Sequence, residues 1–95
     1  MTIYQKCEGR YVETEVDGEL VLMNMATGRF FALEDSGLAI WRAIDGERDV
    51  AAIADEIAGR FGIDAATVAG DSGEFLAALV EAGLVQPRDP GRTAA

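Results

Sequence analysis

Few side chains in this sequence could carry covalent or acid–base chemistry. The chain has one cysteine, Cys7, one lysine, Lys6, and no histidine. Cys7 is the only thiol nucleophile, but no histidine is present to activate it, so an incidental thiol is the simpler interpretation. The lack of histidine also argues against a structural zinc site and against His-dependent catalytic triads.

Two pairs of acidic residues come closest to a catalytic carboxylate pair. Asp55 with Glu56, and Asp71 with Glu74, each fall on the polar side of a predicted helix, where solvation alone explains them. The glycines form no phosphate-binding loop, because none precedes a Lys-Ser or Lys-Thr pair. The sequence therefore predicts a protein that is not an enzyme, with no catalytic residues, metal or cofactor.

Charge and length narrow the possible partners. The 95 residues fit one domain, and their formal net charge of −9 would repel a nucleic acid. No apolar run reaches the roughly 20 residues of a membrane span, and the first residues lack the pattern of a secretory signal. We therefore expect a cytoplasmic protein that binds neither nucleic acid nor membrane, and whose partner is a polypeptide.

Alternating residues predict three strands that form an antiparallel meander. The first strand covers residues 11–16, and Asp17-Gly18 then suits a type I′ turn into a second strand at residues 19–23. Residues 24–28 supply a longer turn in which Gly28 can take a left-handed conformation. A third strand at residues 29–33 then lies at the edge of the sheet.

After Leu33 the apolar period changes to about 3.6 residues, which predicts helices. Asp35 or Ser36 is expected to cap the first helix and Gly46 to end it, while Asp49 caps a second helix that ends at Gly62.

A longer third helix is predicted from Asp64 to about Ala82, closed by Gly83. Gly70 and Gly73 interrupt its pattern. They leave open a frayed first half, a start nearer Asp71, or a close approach of another backbone.

The predicted fold class is α+β and winged-helix-like, with a three-stranded antiparallel sheet followed by three helices. Residues 1–10 are expected to form a flexible segment, residues 11–86 a peptide-binding domain, and residues 87–95 a disordered tail. In the third strand, if Phe31 and Leu33 fill the core, Phe30 points elsewhere and either is covered by another segment or meets a partner. The free backbone edge of this strand is able to accept a strand from a peptide.

Residues from about Glu19 to Val85 resemble the PqqD-like domains, also called RiPP recognition elements, which bind leader peptides of ribosomally made, post-translationally modified peptides. The resemblance lies in ordered short stretches: Leu20-Val21-Leu22, Phe30-Phe31-Ala32-Leu33, Ser36-Gly37, Ile40-Trp41, Asp45-Gly46, Asp49-Val50, Ile53-Ala54, Phe75-Leu76, and Leu79 before Gly83-Leu84-Val85. One departure is Glu34-Asp35, where an Asn and a turn residue often follow in the family.

The resemblance implies that a leader peptide lies as an added strand against the third strand, in a groove completed by the third helix. The implied peptide-binding residues are Arg29, Phe30, Phe31, Ala32, Leu33, Asp71, Glu74, Phe75, Ala78, Leu79 and Ala82. Among them, Asp71 and Glu74 would meet a basic leader residue. The implied partners are a precursor leader peptide and a leader peptidase or other modifying enzyme.

The resemblance favours a leader-peptide-binding adaptor of a lasso-peptide pathway, and two alternatives remain open. A free-standing domain of this size resembles the leader-binding proteins of lasso-peptide pathways, and it also resembles PqqD itself, which presents its peptide to a radical SAM enzyme in quinone-cofactor biosynthesis. A winged-helix DNA-binding regulator is the second alternative, although its helices would present acidic residues where a recognition face is basic.

Overall fold

The computed structural model describes residues 2–88. The elements are, in chain order, β1 (Ile3–Lys6), β2 (Tyr11–Val16), β3 (Glu19–Asn24), β4 (Phe30–Leu33), α1 (Asp35–Ala43), α2 (Val50–Phe61), α3 (Ala65–Glu81) and β5 (Val85–Arg88). The strands form a three-stranded antiparallel sheet in the order β2-β3-β4 and a separate two-stranded sheet of β1 and β5. The predicted α+β class, with its antiparallel meander and three helices, is confirmed. No helix within residues 2–88 has both the length and the apolar character to cross a membrane.

Local turn chemistry builds the main sheet as predicted. Asp17 and Gly18 have φ angles of 50° and 79°, the left-handed pair that a type I′ turn between β2 and β3 requires. Gly28, with φ 75°, closes the longer turn into β4. Because β3 lies between β2 and β4, one side of β4 has no strand partner among the described residues.

The core lies between one face of this sheet and the three helices. Its largest fully buried side chains include Trp41, Leu22, Ile53, Ile57, Leu76, Leu79, Leu84 and Val85. The Trp41 ring meets Tyr11 edge-on at 5.3 Å between centroids, and its Nε1 donates to a Glu13 carboxylate oxygen at 3.2 Å. These contacts join α1 to β2.

The helix ends agree with the predicted signals for α2 and α3 but not for α1. Asp49 caps α2 by accepting from the Ala52 N–H, and Asp64 caps α3 by accepting from the Thr67 N–H. In α1, Glu34 takes the N-cap position without a side-chain bond, while Asp35 lies inside the first turn with φ 51°. Helix α1 also ends at Ala43, before Gly46.

Both glycines that interrupt the α3 pattern lie inside a continuous helix. The helix begins at Ala65, so it has no late start near Asp71. No atom from elsewhere in the described chain lies within 4 Å of where a β-carbon at Gly70 or Gly73 would be. Neither glycine therefore marks a close approach of another described segment.

The two ends of the described chain pair with each other. Ile3 pairs with Arg88 and Lys6 with Val85, so part of the segment expected to be flexible and the first two residues of the expected tail, Pro87 and Arg88, lie in strands. Residues 89–95 of the predicted tail lie outside the described residues. The Cys7 N–H donates to the Leu84 carbonyl at 2.9 Å, so β1 and β5 stay joined beyond the strands.

The Lys6 ammonium lies 4.7 Å from the Trp41 ring centroid. Burial lowers the pKa of Lys6 from the ordinary 10.5, and the nearby negative charge of Glu13 partly offsets this lowering.

Candidate peptide-binding site

The uncovered edge of β4 presents a defined set of backbone groups. The Asn24 N–H donates to the Arg29 carbonyl at 2.8 Å, so the backbone of Arg29 faces β3. In an antiparallel pair the direction of the backbone groups alternates from residue to residue. With Leu22 opposite Phe31 and Leu20 opposite Leu33, the N–H and C=O groups of Phe30 and Ala32 point away from β3, toward the free edge.

Side chains on β4 alternate between the two faces of the sheet. Leu33 is buried and Phe31 is half-buried against the core, so both face the helices. Phe30 is 68% exposed and Ala32 is also exposed, on the face directed away from the helices. The alternative in which another described segment covers Phe30 is therefore not observed.

Two contacts place α3 near the two ends of β4. At one end, the tip of the Phe75 ring lies 4.0 Å from the point that a β-carbon would occupy if Gly37, at the start of α1, carried one. At the other end, the Asn24 side-chain amide donates to the Ala82 carbonyl at 2.8 Å. Because Gly37 follows β4 and Asn24 precedes it, α3 runs alongside β4 in the opposite direction. We call the surface between residues 29–33 and the Phe75–Ala82 face of α3 the β4–α3 site.

The structure separates the predicted residues into a floor and an accessible wall. Leu33, Leu79 and Ala82 are buried members of the core, so their side chains support the site from below. Phe75 and Ala78 are half-buried and form the accessible helical wall.

Opposite charges mark the two ends of the β4–α3 site. The Arg29 guanidinium lies 5.2 Å from the Phe31 ring centroid, on the side of the helices, and forms no ion pair with any residue from 2 to 88. Asp71 and Glu74 are exposed on α3, beyond Phe75 and away from the Asn24 end. A bound peptide would meet positive charge at one end and negative charge at the other.

Asn24 is the positioning residue that the sequence analysis did not identify. It is 7% exposed, and its side-chain oxygen accepts from the N–H groups of Ala26 and Thr27 while its amide donates to Ala82. Gly83 must be small here, because a β-carbon on it would lie 2.9 Å from the Asn24 amide nitrogen. Asparagine in a turn is a common signal for an Asx turn, but its bond to a helix 58 residues away has no local signal. A cavity of about 460 Å³, lined by Arg10, Met25 and Gly83 among others, adjoins this end.

The fold and this site define a class of protein: a small winged-helix-like α+β domain in which β4, one of the two edge strands of the main sheet, lies near the longest helix. Residues 19–85 match the family model described as coenzyme PQQ synthesis protein D (PqqD). The chain belongs to the PqqD family, which confirms the resemblance found in its sequence. No curated protein matches the chain.

Two solved structures are similar over nearly the whole chain. One is described as TbiB1 in complex with the TbiA(beta) leader peptide; it is 29% identical, with a TM-score of 0.74, and the match covers 95% of this chain and 100% of that chain. The other is a lasso peptide synthetase B1 complexed with the leader peptide; it is 17% identical, with a TM-score of 0.75, and the match covers 88% of this chain and 98% of that one. The second likeness concerns the fold alone.

Proposed function

We propose that this chain is a leader-peptide-binding adaptor of RiPP biosynthesis, which captures a precursor peptide as an added strand on β4. The observation that carries the proposal is the free β4 edge, where the backbone groups of Phe30 and Ala32 face outward beside the apolar wall of α3. Membership of the PqqD family and the similarity to a protein solved with its leader peptide support the same function.

In this proposal the adaptor presents the bound peptide to a leader peptidase or another modifying enzyme, and the chemistry belongs to that enzyme. The likeness to the whole of a protein solved with its leader peptide, together with the fold likeness to a lasso peptide synthetase B1 complexed with the leader peptide, supports a lasso-peptide setting. The family model is named for coenzyme PQQ synthesis, so presentation to a radical SAM enzyme remains the second candidate. Both settings use the same peptide-binding edge.

The direct test is a titration of the purified chain into a fluorescently labelled leader, taken from the precursor peptide encoded beside its gene. Saturable binding, read as fluorescence anisotropy, supports the proposal, and the scrambled leader serves as the control. A leader that does not bind at concentrations up to about 1 mM, where the standard free energy of binding is only about −4 kcal/mol, would refute it.

Phe75→Glu is expected to weaken leader binding about tenfold, because it places a charge in the apolar wall of the β4–α3 site. Ala77→Glu adds the same charge at an exposed position of α3 and is expected to bind like the unmodified chain. Thermal unfolding of both variants shows whether the half-buried Phe75 contributes to stability as well. Equal leader affinities for folded Phe75→Glu and Ala77→Glu would show that this face of α3 is not part of the peptide-binding site.

The double variant Asp71→Asn/Glu74→Gln is expected to lower the affinity for a leader with a basic residue at this margin by about threefold. The difference should disappear in about 0.5 M salt, because these carboxylates are exposed and screened. Asp55→Asn/Glu47→Gln removes two exposed negative charges elsewhere and is the matched control. If both double variants changed the affinity equally, net charge rather than position would explain the effect.

A further inference from the structure

A second apolar surface lies on the side of the main sheet that faces away from the helices. Alternate residues of the three strands meet there; they are Val12, Thr14 and Val16 of β2, Glu19, Val21 and Met23 of β3, and Phe30 and Ala32 of β4. We call this set the open face. No described helix or strand covers it, since Val12, Val16, Met23 and Phe30 are 45%, 54%, 38% and 68% exposed.

The strand register makes the open face continuous. Val12 lies opposite Met23, and Met23 lies opposite Phe30, so one apolar row crosses all three strands. A second row consists of Thr14, Val21 and Ala32. Isolated exposed apolar side chains are ordinary, but rows that join across a sheet are typical of interaction surfaces.

The charges on this surface argue against a second copy of the chain. Among the strand positions of the open face, Glu19 is the only charged residue, and the whole chain carries a net charge of −9. Two copies placed face to face would therefore bring like charges together. An apolar surface with a basic residue placed to meet Glu19 is complementary to it.

The open face is also continuous with the β4–α3 site. The backbone groups of Phe30 and Ala32 point to the free edge, while their side chains belong to the open face. A strand added at this edge would place every second side chain beside Phe30 and Ala32 and would extend both rows by one residue.

We propose that the open face is the docking surface for the enzyme that acts on the bound peptide, through an apolar enzyme patch with a basic residue opposite Glu19. This inference rests on the proposed function, because the enzyme is defined by the peptide that the adaptor holds. The enzyme would contact the adaptor and the added strand together, on the face opposite to the helices.

The test uses Val12→Lys and, as a second variant, Met23→Lys, both at exposed positions away from the β4 edge. Ala51→Lys, at an exposed position of α2, adds the same charge outside the open face. Leader binding is measured by anisotropy. Binding of the purified leader peptidase or modifying enzyme encoded beside the precursor gene is measured by calorimetry, with and without leader, and circular dichroism verifies folding.

The expected result is at least about tenfold weaker enzyme binding for both open-face variants, with leader affinity unchanged and with Ala51→Lys equal to the unmodified chain. Unchanged enzyme binding in folded Val12→Lys and Met23→Lys would overturn the proposal while leaving the leader-binding function intact. A concentration-dependent dimer of the unmodified chain that Val12→Lys dissociates would also overturn it, because the occupant would be a second copy. Absence of leader binding in the unmodified chain would instead refute the proposed function.

Discussion

Ala32→Pro is expected to weaken leader binding about a hundredfold while the domain stays folded. Proline has no N–H, and Ala32 supplies one of the outward-facing donors at the free β4 edge. A leader strand paired with β4 would lose this hydrogen bond, its carbonyl would be left without a donor, and its backbone would meet the proline ring. The combined cost in binding free energy is about 3 kcal/mol. An edge position whose N–H faces outward tolerates proline, because no hydrogen bond within the sheet is broken.

Ala32→Val is the matched control, because it enlarges the side chain and keeps the N–H. Leader affinity measured by anisotropy should separate the two variants, and their melting temperatures should be similar. Equal leader affinities for Ala32→Pro and Ala32→Val would contradict strand addition at β4. They would mean that the leader binds elsewhere on the chain.

Asn24→Ala is expected to lower the free energy of unfolding by about 2–4 kcal/mol, the largest stability effect that we predict for a single polar side chain. The change removes three hydrogen bonds at a nearly buried position and leaves the Ala82 carbonyl without its side-chain donor. Because Asn24 also holds the end of α3 beside β4, leader affinity is expected to fall as well. Urea unfolding followed by circular dichroism measures the first effect.

Thr27→Ala is the control in the same turn. The Thr27 hydroxyl accepts one exposed hydrogen bond, from the Arg29 N–H, so its loss is expected to cost less than about 1 kcal/mol. Equal destabilisation by Thr27→Ala and Asn24→Ala would show that the turn, and not its link to α3, is what Asn24 stabilises.

Elements specified by neighbouring residues could be predicted from the sequence. The Asp17-Gly18 turn and the cap of α2 at Asp49 each depend on residues within a few positions of one another. The amphipathic period of α2 and its end at Gly62 follow from the same local rules. This is why the meander and the second helix were predicted with nearly their observed bounds.

Contacts between distant segments could not be predicted in this way. Residues 3–6 and 85–88 are short, and Pro87 weakens any strand pattern in the second segment, so their pairing depends on the assembled core. The exposure of Phe30 and the link from Asn24 to Ala82 are likewise tertiary outcomes. For the β4–α3 site, the family resemblance supplied the pairing of strand and helix, and the structure divided its residues into buried floor and accessible wall.

The β1–β5 pairing brings the entry and the exit of the described chain together. Ile3 and Arg88 lie directly opposite one another in an antiparallel ladder, where paired α-carbons are about 5 Å apart. This ladder belongs to a different sheet from β4. Inserted through two short linkers into a surface loop of a host protein, the domain would therefore span a gap no wider than that of an ordinary hairpin.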